Sequence, residues 1–160
     1  MNNLEYSYLN NDDVIIKPQI KIDSEFKFFI QLYEHLDKDK YFLTKSSNKY
    51  CNIDFLILEN STLKTLYLEL KSRLRYNAFD TFLISKKKLD NIDKNYSNTF
   101  LIYEFKDGLY YCKFNKDLLN SKENFICGGA CYELEKKHFK TGFNNLIIDI
   151  KDYLKEFNTY

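Results

Sequence analysis

The segment IDFLILENSTLKTLYLELK, residues 53–71, decides the fold. Its first half is an apolar, β-prone run that is interrupted only by Asp54. Residues 63–70 then alternate, with three leucines on one side and polar or aromatic residues on the other. The segment therefore predicts two adjacent antiparallel strands, and the alternation places Glu69 and Lys71 on the same face of the second strand.

Outward from this segment, helical and strand patterns alternate along the chain. The predicted elements are an arm or short strand over 1–22, an amphipathic helix over 24–37 with Ser24 as N-cap, strands over 50–58 and 63–70 joined by a turn at 59–61, a helix over 85–95 capped by Ser85, a hairpin of 99–105 and 109–114 around a turn at 106–108, a candidate strand near 131–134, an apolar stretch over 146–150 and a closing helix over about 151–157. This order predicts an α/β fold, with a sheet flanked by helices.

The length and composition indicate one domain over residues 1–160, because two domains in 160 residues would each have little core. We expect a core over about 24–114, an N-terminal arm over 1–23 and closing elements over 115–160. Hydrophobic residues make up 44% of the chain, which is enough for a packed interior.

The charge balance and the cysteines limit the class of protein. A net charge of +1 gives no overall field to hold nucleic acid, so any such contact must come from a local patch. Four scattered cysteines fit a reducing compartment, and without a second cysteine pair a zinc site is rejected. The sequence shows no signal peptide and no apolar run of membrane-spanning length. We therefore expect an intracellular protein of the cytoplasm or the nucleoid or nucleus, with no membrane partner.

The two predicted strands bring together groups that suit phosphodiester hydrolysis. Asp54 and Glu69 could reach one cation across the strand pair, since carboxylate oxygens are the ligands that hard divalent cations prefer. Lys71 projects from the same face as Glu69 and could orient water or stabilise developing charge. A carboxylate within the apolar run around Asp54 costs free energy unless it is paired or binds metal.

These residues resemble a known motif. Ile53-Asp54-Phe55 followed by Glu69-Leu70-Lys71 is similar to the signature of the PD-(D/E)xK, or restriction-endonuclease-like, nuclease superfamily. Asn52 or Ile53 stands where the motif has a proline before the aspartate. The resemblance covers roughly residues 24–114.

The resemblance implies a mixed central β-sheet flanked by helices, Mg²⁺ or Mn²⁺ as cofactor, and cleavage of DNA more often than RNA. It implies that Glu25 completes a metal site with Asp54 and Glu69, while Glu34 is the alternative. The basic start of the 85–95 helix matches an element that brings cations to the substrate. The residues expected to contact nucleic acid are Arg73, Arg75, Lys86, Lys87 and Lys88.

Each of these residues also has a plain structural interpretation. Glu69 and Lys71 could form a surface ion pair, Glu25 could favour the helix dipole, and the arginines and the lysine run could be solvated surface. The leading hypothesis is a divalent-metal-dependent endonuclease or exonuclease. The alternatives are a non-catalytic nucleic-acid-binding or assembly module with the same fold, and a protein interaction domain. A homodimer is compatible with cleavage of duplex DNA.

Overall fold

The computed structural model describes residues 20–45, 53–73, 75–78, 80–126 and 128–156. Its elements, in chain order, are α1 Ile20–His35, β1 Tyr41–Lys45, β2 Phe55–Glu59, β3 Thr65–Ser72, β4 Thr81–Ser85, α2 Lys86–Asn95, β5 Thr99–Phe105, β6 Gly108–Lys113, a 3-10 turn Lys116–Asn120, β7 Lys122–Ile126, β8 Gly129–Glu135, a second 3-10 turn Lys136–His138, β9 Lys140–Thr141 and α3 Phe143–Lys155.

Within the described residues, the main sheet has six strands in the order β1-β2-β3-β5-β6-β9. Its neighbours are antiparallel except for β3 and β5, which run parallel and are joined through β4 and α2. The same part of the chain forms a second sheet of three antiparallel strands in the order β4-β8-β7. The prediction of an α/β fold with a mixed central sheet of restriction-endonuclease-like type is confirmed.

The two faces of the main sheet contribute to different hydrophobic clusters. On one face, Leu66, Leu68 and Leu70 of β3 pack with the buried sides of α1 and α3. On the other face, Tyr67 packs beside the cluster that contains Leu89 and Ile92 of α2. Because side chains alternate along a strand, Glu69 and Lys71 project toward the α2 side, as the sequence predicts.

The predicted strand pair and hairpin are present with shifted ends. The β5–β6 hairpin turns at Lys106-Asp107, and β3 begins at Thr65 because Leu63 adopts a turn conformation with φ of 61°. Strand β2 begins at Phe55, whereas the predicted strand began at residue 50; residues 46–52 lie outside the described part of the chain. Four strands were not predicted: β1, β4, β7 and β9.

Two helix predictions were wrong in their bounds. Helix α1 begins at Ile20, so Ser24 lies inside it and is not its N-cap. The start of the predicted arm, residues 1–19, is outside the described part. At the other end of the chain, the apolar stretch 146–150 and the closing helix form the single helix α3. Its buried residues Leu146, Ile150 and Leu154 share one helical face, and this spacing gives the physical reason for one continuous helix. In the described part of the chain, no helix is long and apolar enough to cross a membrane.

The N-cap of α2 provides a test of this local structure. The Ser85 hydroxyl accepts a hydrogen bond from the Lys88 backbone N–H at 3.1 Å, as the capping prediction requires. We expect Ser85→Ala to lower the free energy of unfolding by about 1 kcal/mol in urea denaturation. Ser85→Asp keeps an acceptor and should retain most of the stability. Equal losses of stability in both variants would show that the capping hydrogen bond does not account for the loss.

Candidate active site

The site begins where Asp54 meets β3. The Asp54 backbone N–H donates to the Leu68 carbonyl at 3.2 Å, and its side-chain Oδ2 accepts from the Leu70 N–H at 2.8 Å. The carboxylate thus takes the place that a strand carbonyl would hold, which explains why regular pairing of β2 starts one residue later. These two hydrogen bonds hold Asp54 beside β3.

Glu69 lies near Asp54, at the residue of β3 that follows Leu68. The regular antiparallel register ends where Phe55 pairs with Leu68, and the charge of Asp54 acts on Glu69 from the neighbouring chain segment. The Glu69 side chain is only 3% exposed. Burial and the Asp54 charge raise the pKa of Glu69 to about 7, although Lys88 opposes this shift. Burial also raises the pKa of Asp54, despite its hydrogen bond from Leu70. The two carboxylates therefore form a desolvated, mutually repelling pair.

One oxygen of Glu69 is satisfied and the other is not. The Lys88 ammonium donates to Oε1 in an ion pair. Oε2 is buried and has no hydrogen-bond partner among the described residues. A buried carboxylate oxygen without a donor is costly, and such a group calls for an explanation.

Lys71 lies on the same side of the sheet and is largely withdrawn from water. Burial lowers its pKa, and the nearby positive charge of Lys88 lowers it further, while Glu69 acts in the opposite direction. Lys71 therefore loses its proton more readily than an ordinary lysine, and this property suits an amine that handles a proton or a water molecule.

Glu25 approaches the site from α1. Its carboxylate forms an ion pair with Lys45 at the end of β1, with an N–O distance of 2.9 Å. The charges of both residues act on Asp54. Glu34 is nine residues further along the same helix, which turns it to the opposite side, and its side chain is exposed. The geometry thus favours Glu25 over Glu34 as the third carboxylate.

The residues expected to contact nucleic acid separate into distinct environments. Lys88 turns inward to Glu69, whereas Lys86 pairs with Glu123 of β7 and Lys87 is exposed. Arg73 and Arg75 are exposed just beyond β3 and line a cavity there. The lysine run is therefore not a uniform basic patch.

Sequence reasoning missed two features of the site. It did not identify Lys45, since the short strand β1 gives no pattern that distinguishes its last residue. It treated Lys86, Lys87 and Lys88 as equivalent, although Lys88 lies one helical turn before Ile92, a buried residue. That spacing was a usable signal that Lys88 turns toward the protein interior.

The side chains at this site provide the type of donor atom that a divalent cation requires. Asp54 and Glu69 offer only oxygen ligands, as Mg²⁺ and Mn²⁺ prefer, and the orphaned Oε2 of Glu69 is an oxygen that a cation would satisfy. Within the described part of the chain, no three acidic, histidine or cysteine side chains are grouped closely enough to hold an ion. Lysines neutralise two of the carboxylates instead. The donor types fit, and Glu25 would have to exchange Lys45 for the ion.

The family comparison agrees with this constellation. A family model described as "Phage putative PDDEXK endonuclease" matches residues 24–130, which is well over half of the chain. The chain belongs to this family. No curated protein matches it. The match to the PDDEXK endonuclease family spans Glu25, Asp54, Glu69, Lys71 and α2, so every part of the candidate site lies inside it, while α3 lies outside.

The raised pKa of Glu69 predicts an unusual pH dependence of stability. An ordinary glutamate titrates near 4.5, so between about pH 4.5 and 7 the folded protein binds more protons than the unfolded chain. The contribution of Glu69 to stability is therefore present at low pH and is lost as pH rises through about 7. In EDTA, we expect Glu69→Gln to gain up to about 3 kcal/mol over wild type at pH 8 and little at pH 4.5.

Thermal denaturation across this pH range measures the difference between the two proteins. Glu133→Gln, which alters a partly exposed glutamate of β8, is the matched control and should follow the wild-type pH profile. A constant gap between Glu69→Gln and wild type over the whole range would contradict the buried-carboxylate assignment.

Proposed function

We propose that this member of the PDDEXK endonuclease family is a divalent-metal-dependent nuclease that hydrolyses phosphodiester bonds, with DNA as the expected substrate. The observation that carries the proposal is the buried Asp54–Glu69 pair, in which one carboxylate oxygen lacks a partner in the described structure. Buried acids of raised pKa are unfavourable for folding, and they occur preferentially where they serve function.

Asp54 and Glu69 would hold Mg²⁺ or Mn²⁺, with Glu25 as a third ligand. The bound cation would supply Lewis acidity, neutralising charge on the phosphate and lowering the pKa of the attacking water. The hydrogen bond from the Leu70 N–H orients the Asp54 carboxylate, so this ligand is held in place before any ion arrives.

Lys71 is the residue proposed to position the nucleophile. Its amine projects from the same strand face as Glu69, two residues further along. Because its pKa is lowered, the amine can accept a hydrogen bond or a proton from water more easily than an exposed lysine. Lys88, released from Glu69 when a cation binds, would carry its positive charge to the phosphate.

Contact with the nucleic-acid backbone is assigned to Arg73, Arg75 and Lys87, whose side chains are exposed near the site. Lys86 would contribute less, because Glu123 already neutralises it. The net charge is close to zero, so this local patch must supply the electrostatic attraction.

One observation favours a second candidate, a non-catalytic nucleic-acid-binding module. The ion pairs Lys45–Glu25 and Lys88–Glu69 neutralise two of the three carboxylates without any metal. A module that never binds metal would keep these pairs permanently. Metal binding therefore separates the two candidates.

Cleavage assays on variants test the proposed roles. We expect Asp54→Asn and Lys71→Met to reduce Mg²⁺- or Mn²⁺-dependent cleavage of linear or circular DNA at least about 100-fold. Asn keeps an acceptor for Leu70, and Met keeps the lysine stem, so both variants should remain folded. The controls are Asp93→Asn on α2 and Lys113→Met, which alters another partly buried lysine of the main sheet. Unchanged cleavage by both site variants would defeat the assignment.

Metal binding can be measured without turnover. We expect saturating Mn²⁺ to raise the Tm of wild type by a few degrees relative to EDTA, and to have no effect on Glu69→Gln. Protons compete with the metal ion for the Glu69 carboxylate, so the rise in Tm caused by Mn²⁺ should be larger at pH 8 than at pH 6. Asp93→Asn should respond as wild type does. A wild-type Tm that is indifferent to Mn²⁺ and Mg²⁺ at both pH values would support the non-catalytic module.

A further inference from the structure

A cavity of about 300 Å³ lies next to the candidate site. It is bounded by the chain that follows β3, by strand β4 and by the end of β5. The volume is at the small end of the range for ligand pockets, roughly 300–1,000 Å³, and leaves room for one planar heterocycle. The cavity is too small for a duplex or a folded peptide.

The inner lining of the cavity is aromatic and aliphatic. Phe82, Tyr103 and Phe105 form its floor, and Leu83 adds an apolar side chain that is 40% exposed. The floor is rigid, because Phe82 stacks on Tyr103 with a centroid distance of 4.9 Å and the Tyr103 hydroxyl donates to the Leu83 carbonyl. Such a surface favours a flat, weakly polar group over water.

The rim of the cavity is cationic. Arg73 and Arg75 are exposed, and the guanidinium carbon of Arg75 lies 5.7 Å from the ring centroid of Phe105. Arginine binds phosphate through paired N–H groups and also stacks on bases. Glu133 also lines the cavity, and its carboxylate would repel an anion placed inside, so the interior suits a neutral group. The two arginines make the rim suitable for an anion. An apolar slot with an anion-binding rim matches the two halves of a nucleotide.

The cavity continues directly from the candidate site. Tyr103 of its floor pairs in register with Lys71, and Arg73 follows Lys71 by two residues. A nucleotide in the cavity would therefore be an immediate neighbour of a phosphate held beside Lys71.

We propose that this cavity binds one unpaired nucleobase of the strand to be cut, while Arg73 and Arg75 hold the adjoining phosphate. A base can enter only when it is not paired, so the preferred substrate is single-stranded or locally unpaired nucleic acid. This inference rests on the proposed nuclease function for its meaning, but its test does not require catalysis.

The first measurement compares strands with and without bases. Fluorescence anisotropy in EDTA gives the affinity of wild type for a labelled thymidine homopolymer and for an abasic strand of equal length with the same backbone charge. We expect the strand with bases to bind about tenfold more tightly, the size of one base-stacking contribution. Equal affinities, or no retention of either strand at low salt, would overturn the proposal.

The second measurement fills the cavity. Leu83→Trp should abolish the preference for the strand with bases and leave affinity for the abasic strand and for duplex DNA unchanged. Ile148→Trp, at an exposed position of α3, is the matched control and should keep the preference. Leu83→Phe serves as a smaller filling should circular dichroism show that the tryptophan variant is misfolded. A preference that survives in the folded variant would overturn the proposal.

Nuclease activity and nucleobase binding in the cavity can be refuted separately. Metal-dependent cleavage combined with equal affinity for both strands would refute the nucleobase cavity alone. A preference for bases that Leu83→Trp removes, in a protein that cleaves nothing with Mg²⁺ or Mn²⁺, would refute the nuclease and retain the cavity as a nucleobase site.

Discussion

The site depends on the two hydrogen bonds that attach Asp54 to β3. One uses its backbone N–H and the other its carboxylate, and together they attach the start of β2 to β3 beside the pair Phe55–Leu68, so that Asp54 lies near Glu69. A slip of one residue would turn Glu69 to the leucine face, where α1 and α3 pack. The hydrophobic alternation of β3 and the hydrogen bonds of Asp54 therefore favour the same pairing, and this pairing brings Asp54, Glu69 and Lys71 to one side of the sheet.

Much of this arrangement could be predicted from the sequence because it is local. The alternation in β3 predicts the face on which Glu69 and Lys71 lie. Ser85 indicates the start of α2, and Asp107-Gly108 indicates the β5–β6 hairpin. Strands β1, β4 and β7 could not be predicted in this way. They are five residues each, which is too short for a clear alternation, and the partner of β4 is strand β8, about 50 residues further along the chain.

The same distinction explains what sequence reasoning missed in the site. Glu25 was predicted but its partner Lys45 was not, because the ion pair joins α1 to β1 and is a tertiary contact. The separation of Lys86, Lys87 and Lys88 into three environments depends on β7 on one side and on Glu69 on the other. The helical phase of α2 contains part of that information, but the partner of each lysine does not follow from it.

The charges of the site explain how cation and substrate would depend on each other. Glu25, Asp54 and Glu69 carry three negative charges when all are ionised, and Lys45, Lys71 and Lys88 carry three positive ones when all are protonated, so the two sets of charges balance. On the proposed function, a divalent ion would enter by displacing lysines from their carboxylates, which makes its binding weaker than to three unpaired acids. With the ion bound, the group would have an excess of positive charge beside the arginines that follow β3. A phosphodiester would remove that excess, so each ligand would favour the binding of the other.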